Sequence, residues 1–598
     1  MTEKNIHRAK DLTIIQHFPI EWIKLQPRKV EEILSTLSLA EKARHVLSLP
    51  AVHQRELLVL CEDAVEVTQC IPAEEIYHLI KELGSEDSLL ILSMASPEQL
   101  QYFFDLEWWQ SDKFLPQRAM EWLELLDQCN EPETLGWFLN EDFDQKVMLL
   151  QSLIKVFKQD EMTNSYEGVE GLEHYSPDGV YDVFFKVKES KVIRKLLLLL
   201  ADKDITFLHE LLEAVIWFPT TITLEKAYQW RLTRTSERGI PEFEEAMGVY
   251  SSLNPDDLKQ EVPLSENFSG GKFSFSPQYP LTQALLSHFF GQCVKSLDSE
   301  ERLNAIRWEL VCLANKIMVA DKCDLSDLKI RQKAMRKAVG YVNIGLELGA
   351  SGDLEKGHSL LHQIWMQSLF QVGFEQLKQI RSKANLFLKE NGSFMEEFIS
   401  EDEKEKLGAL VLSFPQIVEK GEGDTAILWR DPESLDDIRA INKLLDRWAF
   451  NIRFAKQSLG LNTKTLEVKW GGFDIPENGK LNLLTLFITA FARHILFKTL
   501  SCEPLTISAA KSFLKVVFIA GIFQDEEKFV DEDKLSSFEQ ALLDTPMAWT
   551  KSDQGLLREL LAQCVVTLEE QFGRLDISRN IEWQYTDGLL ITYSQGAE

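Results

Sequence analysis

The sequence predicts a mainly α-helical protein, and three observations carry this prediction. Apolar residues recur at three- and four-residue spacing through most of the chain, which is the period of a helix. Strand-like runs are few and lie near the C-terminus. Over residues 49–156, prolines recur regularly and each precedes an amphipathic stretch: Pro50, Pro72, Pro97, Pro116 and Pro132. The predicted architecture is a stacked helical repeat array, a middle helical domain and a helical C-terminal part with a small β-hairpin.

Each helix of the predicted array has a local start signal. Proline suits the first turn because the first amides have no partner within the helix and the fixed φ of proline is already helical. Ser96 and Gln99 flank Pro97 in the pattern of a capping box. Leu100 and Phe103 then share one helical face. Helices this short are marginal alone, so we expect them to stack on each other.

Two polar breaks divide the rest of the chain. Residues 163–179 and 253–280 contain glycine or proline and lack helical periodicity, which predicts loops or linkers. Residues 466–473 have strand character, and residues 581–593 (IEWQYTDGLLITY) predict a hairpin with Asp-Gly at its turn. We therefore predict four parts: the array (1–160), a helical segment (180–255), a helical domain (281–420) and a mainly helical C-terminal domain with minor β structure (421–598).

Charge and composition narrow the classes of partner. The formal net charge of -30 repels phosphate backbones and anionic lipids, so we expect neither nucleic acid nor a membrane surface as partner. The eight cysteines have no CxxC spacing, which favours reduced thiols. One basic cluster lacks aromatic residues for base stacking and is interpreted as a solvated helix face: Lys329, Arg331, Lys333, Arg336 and Lys337.

The sequence predicts a cytoplasmic protein without membrane insertion. Its first residues are polar and lack the apolar core of a signal peptide. The longest apolar stretch, residues 481–497, is interrupted by polar and charged residues and is therefore not expected to span a bilayer.

A dense group of charged residues lies between Arg231 and Tyr250. Arg231, Arg234 and Arg238 precede acidic residues that open the next helix: Glu242, Glu244 and Glu245. The favoured interpretation is an internal ion-pair network that links two helices. The alternative is that the arginines hold an anionic ligand or a partner.

Two further features are candidates for a binding site. Trp109 would be an anchor for a partner protein if it were exposed, since interface hot spots favour tryptophan; burial between helical layers is the favoured alternative.

His358 and His362 are four residues apart and form a weak candidate metal site without a nameable third ligand. Two histidines on a solvated or half-buried face is the preferred interpretation. The acidic runs 401–406 and 525–533 lack the ligand alternation of an EF-hand and are interpreted as solvated surface.

Two stretches carry a resemblance to a known family. SEDSLLILSMASPEQLQYFFDLEWW (residues 85–109) and EKAYQWRLTRTSERGIPEFEEAMGVYSSLNP (residues 225–255) resemble two regions of a bacterial protein family of unknown function. The proline-started repeats are also similar to the cytoplasmic N-terminal domain of MgtE-type magnesium transporters and to helical modules of FliG. Those resemblances imply a module that binds or senses through packed helices and performs no chemistry.

The first functional hypothesis is a cytoplasmic helical scaffold or adaptor that binds another protein through the N-terminal array and is compatible with homo-oligomer formation. The alternative is an enzyme or small-ligand-binding protein with a pocket between the middle and C-terminal domains. A divalent-cation sensor, which the transporter resemblance alone suggests, ranks below both. Because the sequence has no recognisable catalytic, nucleotide-binding or metal motif, we assign no catalytic residue and no cofactor and favour a non-enzymatic role.

Overall fold

The chain folds into two compact units, Met1–Glu375 and Gln376–Glu598, each described by itself below. Helices make up most of the described residues, which confirms the mainly α fold class. The computed structural model describes residues 18–129, 131–159, 168–188, 191–258, 288–395, 401–420, 427–461, 483–519, 528–575, 581, 583 and 588–592.

Within these residues the helices are α1 Trp22–Leu25, α2 Pro27–Ser35, α3 Leu39–Leu47, α4 Ala51–Val59, α5 Ala64–Cys70, α6 Ala73–Leu83, α7 Ser85–Met94, α8 Pro97–Glu107, α9 Pro116–Cys129, α10 Glu131–Asn140, α11 Phe143–Leu153, α12 Lys191–Lys203, α13 Ile205–Trp217, α14 Thr220–Glu237, α15 Phe243–Met247, α16 Phe289–Lys295, α17 Glu300–Ala320, α18 Leu328–Ala350, α19 Leu354–Gln363, α20 Met366–Met395, α21 Glu401–Leu410, α22 Leu435–Gln457, α23 Leu483–Phe497, α24 Ile507–Val517, α25 Glu532–Leu543 and α26 Lys551–Phe572.

The strands are short and form small separate sheets. In chain order they are β1 Trp109–Gln110, β2 Lys113–Phe114, β3 Ile154–Lys158, β4 His174–Tyr175, β5 Tyr181–Phe185, β6 Ile417–Lys420, β7 Ile427–Arg430, β8 Leu505–Thr506, β9 Phe518–Ile519, β10 Phe529–Val530 and β11 Ile591–Thr592. The pairs β1–β2, β6–β7 and β9–β10 are antiparallel, whereas β11 pairs with β8 in parallel.

The predicted helix starts of the array are confirmed. Helix α8 begins at Pro97, and the backbone amide of Ser96 donates to Gln99 Oε1 (2.8 Å) while the Gln99 amide donates to Ser96 Oγ (3.2 Å). The Gln99 side-chain nitrogen also donates to the carbonyl oxygens of Thr68 (2.9 Å) and Ile71 (2.7 Å) at the end of α5. The capping residue therefore fixes one helix of the array against another.

The array shares one hydrophobic core with the segment that follows it. The cluster of buried apolar residues extends from Phe18 to Ile240 and includes Phe103, Leu197 and Leu211. Because helices this short are marginal alone, this continuous core is what stabilises the first fourteen helices together.

A three-stranded antiparallel sheet lies where the sequence predicts a loop and a helix. Strand β5 pairs with β3 along its whole length, from Tyr181 opposite Lys158 to Phe185 opposite Ile154, and with β4 on its other side. All residues of β5 are buried, so the strand has no alternation that would distinguish it from a buried helix. The predicted helical segment 180–255 therefore starts with a strand, and the predicted loop 163–179 contains β4.

The minor β structure near the C-terminus differs from the predicted hairpin. The described strand Ile591–Thr592 pairs with Leu505–Thr506, and most of the first hairpin arm and its Asp587 lie outside the described residues. The predicted strand 466–473 also lies outside them. The break at 253–280 is described as far as residue 258 and there contains a 3₁₀ turn, Pro255–Asp257.

The interpretation of the basic cluster on α18 as a solvated face is confirmed for Lys329, Lys333 and Arg336, which are exposed, and is wrong for its other two residues. Arg331 and Lys337 are buried. Lys337 Nζ donates to Asp321 Oδ2 (3.0 Å) and to the Tyr250 hydroxyl (2.8 Å), and the Arg331 guanidinium lies over the Tyr77 ring. These cations stabilise the interior because acidic and aromatic groups from other elements surround them.

In the described residues no single helix has both the length and the apolar composition to cross a membrane. One bent pair, α13 with α14, passes by length and composition only, and its axes differ by 110°. The apolar stretch 481–497 contains α23, which is shorter than a membrane span.

Candidate functional site

Arg231 and Arg234 of α14 and Arg238, which follows its last residue, lie against the array. Their spacing of three and four residues places them on one face of the helix. Arg231 is buried, and its Nε donates to the Asp105 carbonyl oxygen (2.7 Å) while a terminal nitrogen donates to the Ser111 carbonyl oxygen (3.1 Å). Ser111 has a left-handed φ of 55° in the turn between β1 and β2. The Arg231 side chain therefore stabilises this strained turn by a hydrogen bond to the backbone of the turn.

Two of the arginines neutralise buried acids of the array. Arg234 binds the Asp105 carboxylate with two nitrogens, at 2.8 and 2.7 Å. Arg238 donates to Glu74 Oε1 (3.1 Å), and its guanidinium lies 5.3 Å from the centre of the Tyr102 ring. Both carboxylates are almost fully buried. These pairs join α14 to α8 and α6, and each acid depends on its arginine for compensation of its charge.

The structure corrects the expected partners of these arginines. Glu242, Glu244 and Glu245 are exposed in or beside the first turn of α15, where they complement the helix dipole. Glu245 lies 3.6 Å from Lys316 Nζ. The ion-pair network therefore exists, but it connects α14 to the preceding array.

Trp109 is 4% exposed and is no surface anchor in this structure. Its ring packs edge-on against Phe114 and tilted against Tyr228, and the Arg231 guanidinium lies 5.7 Å from the ring centre. The β1–β2 hairpin turns Trp109 under α14, so the candidate partner contact is corrected to an internal contact.

A cleft of about 310 Å³ opens beside the ion pairs. Helices α8, α10 and α14 line it with aromatic, acidic and basic side chains, including Tyr102, Trp137, Asp105, Glu141, Arg234 and Arg238. A second cavity of about 20 Å³ shares several of these residues and has room for a single water molecule. The volume of the cleft suits a small polar ligand.

Glu141 is the group in this cleft whose charge changes near neutral pH. Burial raises the pKa of Glu141 to about 7, the Arg234 charge opposes this, and the charges of Asp105 and Asp142 add to it. With the Gln145 amide oriented to satisfy both of its ends, its nitrogen donates to Glu141 Oε2 (2.7 Å) and its oxygen accepts from Arg234 (2.7 Å). Such a carboxyl can exchange a proton with a bound group at physiological pH.

His358 and His362 lie together on α19, with ring centres 4.8 Å apart. Burial lowers the pKa of His362, and the neighbouring His358 and Arg302 lower it further. In the part of the chain that the structure describes, no three His, Cys, Asp or Glu side chains are grouped to hold a metal ion. The pair therefore gains no third ligand from the described residues.

Sequence reasoning missed the acids of the site. Glu74 follows Pro72 and resembles an ordinary acidic residue of a helix first turn. The position of Asp105 could have been identified from the sequence, because it interrupts the apolar run of Phe103, Phe104 and Leu106. A charged residue inside such a run indicates a buried partner from elsewhere in the chain.

Fold and site together define a mainly helical protein. Buried ion pairs connect its array to Arg234 of α14 and to Arg238 directly after it, and a polar cleft lies beside these pairs. The chain belongs to a family of unknown function (DUF6178), whose model matches residues 31–592. No curated protein and no solved structure matches the chain.

Proposed function

We propose that this protein is a helical scaffold that binds another protein through its first unit. The observation that carries the proposal is an exposed apolar junction between α13 and α14, here called the Trp217 tip: Trp217 (74% exposed), Phe218 (41%) and Ile222 (53%). Contiguous exposed apolar side chains mark interaction surfaces, and tryptophan is the residue most enriched in binding hot spots.

The array holds the bend of the Trp217 tip in place. Helix α13 ends at Trp217, and Pro219, which cannot donate a backbone hydrogen bond, precedes α14. Gln151 of α11 is buried and donates its side-chain nitrogen to the carbonyl oxygens of Val215 (3.2 Å) and Phe218 (2.7 Å). The carbonyls that the bend leaves without helical partners are thereby satisfied.

The Trp217 ring is oriented although it is exposed. Its Nε1 donates to Glu213 Oε2 (2.9 Å), while Glu213 Oε1 accepts from Lys158 Nζ (2.6 Å) and from the Tyr181 hydroxyl (2.8 Å). The hydrogen bonds from Lys158 and Tyr181 lower the pKa of Glu213 to about 2, so it stays ionised. An aromatic side chain fixed before binding loses less entropy when a partner covers it.

The architecture supports the same class of function. Stacked helices build broad surfaces for partners, and the similarity of the proline-started repeats to MgtE and FliG modules suggests binding through packed helices. The buried ion pairs make the array part of a larger unit, so we propose that it acts as the support of the tip.

A photo-crosslinking amino acid at position 217 of the full chain tests this proposal in cells of its source. The matched control is position 230, because Trp230, on the next helix α14, is also an exposed tryptophan (49%). We expect a discrete crosslinked protein from position 217, at the end of α13, that is absent from position 230 on α14. Trp217→Ala should lose capture of that protein and Trp230→Ala should retain it. Equal capture by both variants would contradict the proposal.

A second function, binding of a small organic cation, is favoured by the cleft beside Glu141. Among the described residues, the cleft carboxylates of Glu98, Glu141 and Glu237 form no ion pair. Titration calorimetry with putrescine tests this, with Glu141→Gln expected to weaken binding and the exposed Glu210→Gln on α13 as its control. Absence of saturable putrescine binding would remove this candidate.

A further inference from the structure

The second unit contains a separate pocket of about 450 Å³ beside α22. Its apolar wall comes from α21, β6 and α22: Leu410, Ile417, Val418, Ile441 and Leu444. This volume is typical of sites for small molecules, which combine apolar walls with a few polar groups. The pocket shares no lining residue with the cleft beside Glu141 and none with the Trp217 tip.

Ion pairs at one end fix the shape of this pocket. Arg430 of β7 donates to both carboxylate oxygens of Asp437 (3.0 and 2.8 Å) and to Glu419 Oε1 (2.8 Å). Asp437 also caps the start of α22 by accepting from the Ser434 amide (3.2 Å). These ion pairs connect strands β6 and β7 to α22, which lines the pocket. The charge of Arg430 is already compensated by Asp437 and Glu419.

Arg447 is a cation of the pocket lining that the described residues do not neutralise. The lining residues Leu444 and Arg447 are successive on one face of α22, and Arg447 is partly buried. Two other lining cations have acidic partners, Lys406 with Asp402 (2.7 Å) and Lys443 with Glu559 (3.2 Å). Arg447 forms no hydrogen bond or ion pair within the described residues.

We propose that this pocket binds a small amphipathic carboxylate. The Arg447 guanidinium has the planar geometry that binds a carboxylate through two hydrogen bonds. Leu410, Ile441 and Leu444 supply an apolar surface for a hydrocarbon chain. Within a chain of net charge -30, Arg447 lies beside an apolar wall without an acidic partner among the described residues, and an anionic ligand would supply that partner.

Titration of the full chain with octanoate, octanol and acetate tests both halves of the proposed ligand. Octanoate carries the charge and the apolar chain, octanol has the chain alone, and acetate has the charge alone. We expect saturable binding of one octanoate per chain, at least about tenfold tighter than either comparison compound. Equal affinity for octanol would overturn the role of Arg447, and equal affinity for acetate would overturn the role of the apolar wall.

Variants of α22 locate the binding. Arg447→Met should weaken octanoate binding about tenfold and leave octanol binding unchanged. Arg447→Lys keeps the charge but loses the planar pair of hydrogen bonds, so it should weaken octanoate binding by a smaller factor. Arg439→Met is the matched control, because Arg439 is an exposed arginine of the same helix outside this pocket. Leu444→Trp keeps Arg447 and fills the pocket, so it should also abolish binding. Octanoate affinity that survives Arg447→Met or Leu444→Trp would overturn the proposal.

Discussion

Arg234 compensates the buried Asp105 carboxylate of the first unit with two hydrogen bonds. Arg234→Ala should therefore lower the free energy of unfolding by about 3 kcal/mol, since it leaves a buried carboxylate without compensation. Lys226→Ala removes an exposed ion pair with Asp144 from the same helix and should cost less than about 1 kcal/mol. Urea unfolding of the full chain measures both, and equal effects would contradict the buried-pair argument.

Protonation of Glu141 gives a second prediction at the scale of one residue. Its pKa in the folded chain is about 7 against an ordinary 4.5, so the stabilisation from its proton is complete below 4.5 and is lost as pH rises through 7. Glu141→Gln stays neutral and should become more stable than the parent by on the order of 2 kcal/mol at about pH 8, with little difference at about pH 5. Melting temperatures at both pH values test this, with Glu210→Gln as control. A difference independent of pH would contradict it.

Close contact between helices limits substitution at the scale of elements. A Cβ at Gly345 of α18 would overlap the carbonyl oxygen of Leu369 of α20, and a Cβ at Gly373 would overlap that of Tyr341. Both obstacles are backbone atoms, so the helices must separate. Gly345→Ala should therefore destabilise the chain by about 3 kcal/mol.

The control for this helix crossing is Gly392→Ala on α20, where a Cβ would meet no atom within 4 Å. That substitution should be neutral or stabilise by up to about 1 kcal/mol, because alanine has the higher helix propensity. Thermal unfolding of the two variants compares them directly. A mild effect of Gly345→Ala would show that the two helices can shift apart at little cost.

Helices were predictable where their signals are local. The Ser96–Gln99 capping box and Pro97 lie within four residues, so the sequence alone locates the start of α8. Strand β5 was not predictable in this way, because its pairing with β3 joins residues far apart in the chain and its burial on both faces removes alternation. The same limit explains why β11 was predicted in a hairpin although its described partner is β8.

At the scale of the whole molecule, the candidate site also depends on contacts between residues that are far apart in the sequence. The three arginines were identifiable as a charged group, but Arg234 and Asp105 are separated by 129 positions, and nothing local relates them. The exposure of Trp217 and the burial of Trp109 also depend on packing, because both tryptophans lie at or just beyond the end of an apolar helix. The residue types alone indicate candidate contact residues, but only the packing of the folded chain determines which of them are exposed to solvent.

The first unit should not survive removal of its array. Deletion of residues 1–160 would take away β3, which pairs with β5, and both acids that neutralise Arg234 and Arg238. It would also remove Gln151, which donates a hydrogen bond to the Phe218 carbonyl oxygen at the bend of the Trp217 tip. We therefore expect the shortened chain to lose amide-exchange protection throughout α14, by at least about 100-fold, since its buried surface and charge partners are gone. Protection of α14 equal to that in the full chain would show that residues 180–255 fold without the array, as an independent helical segment would.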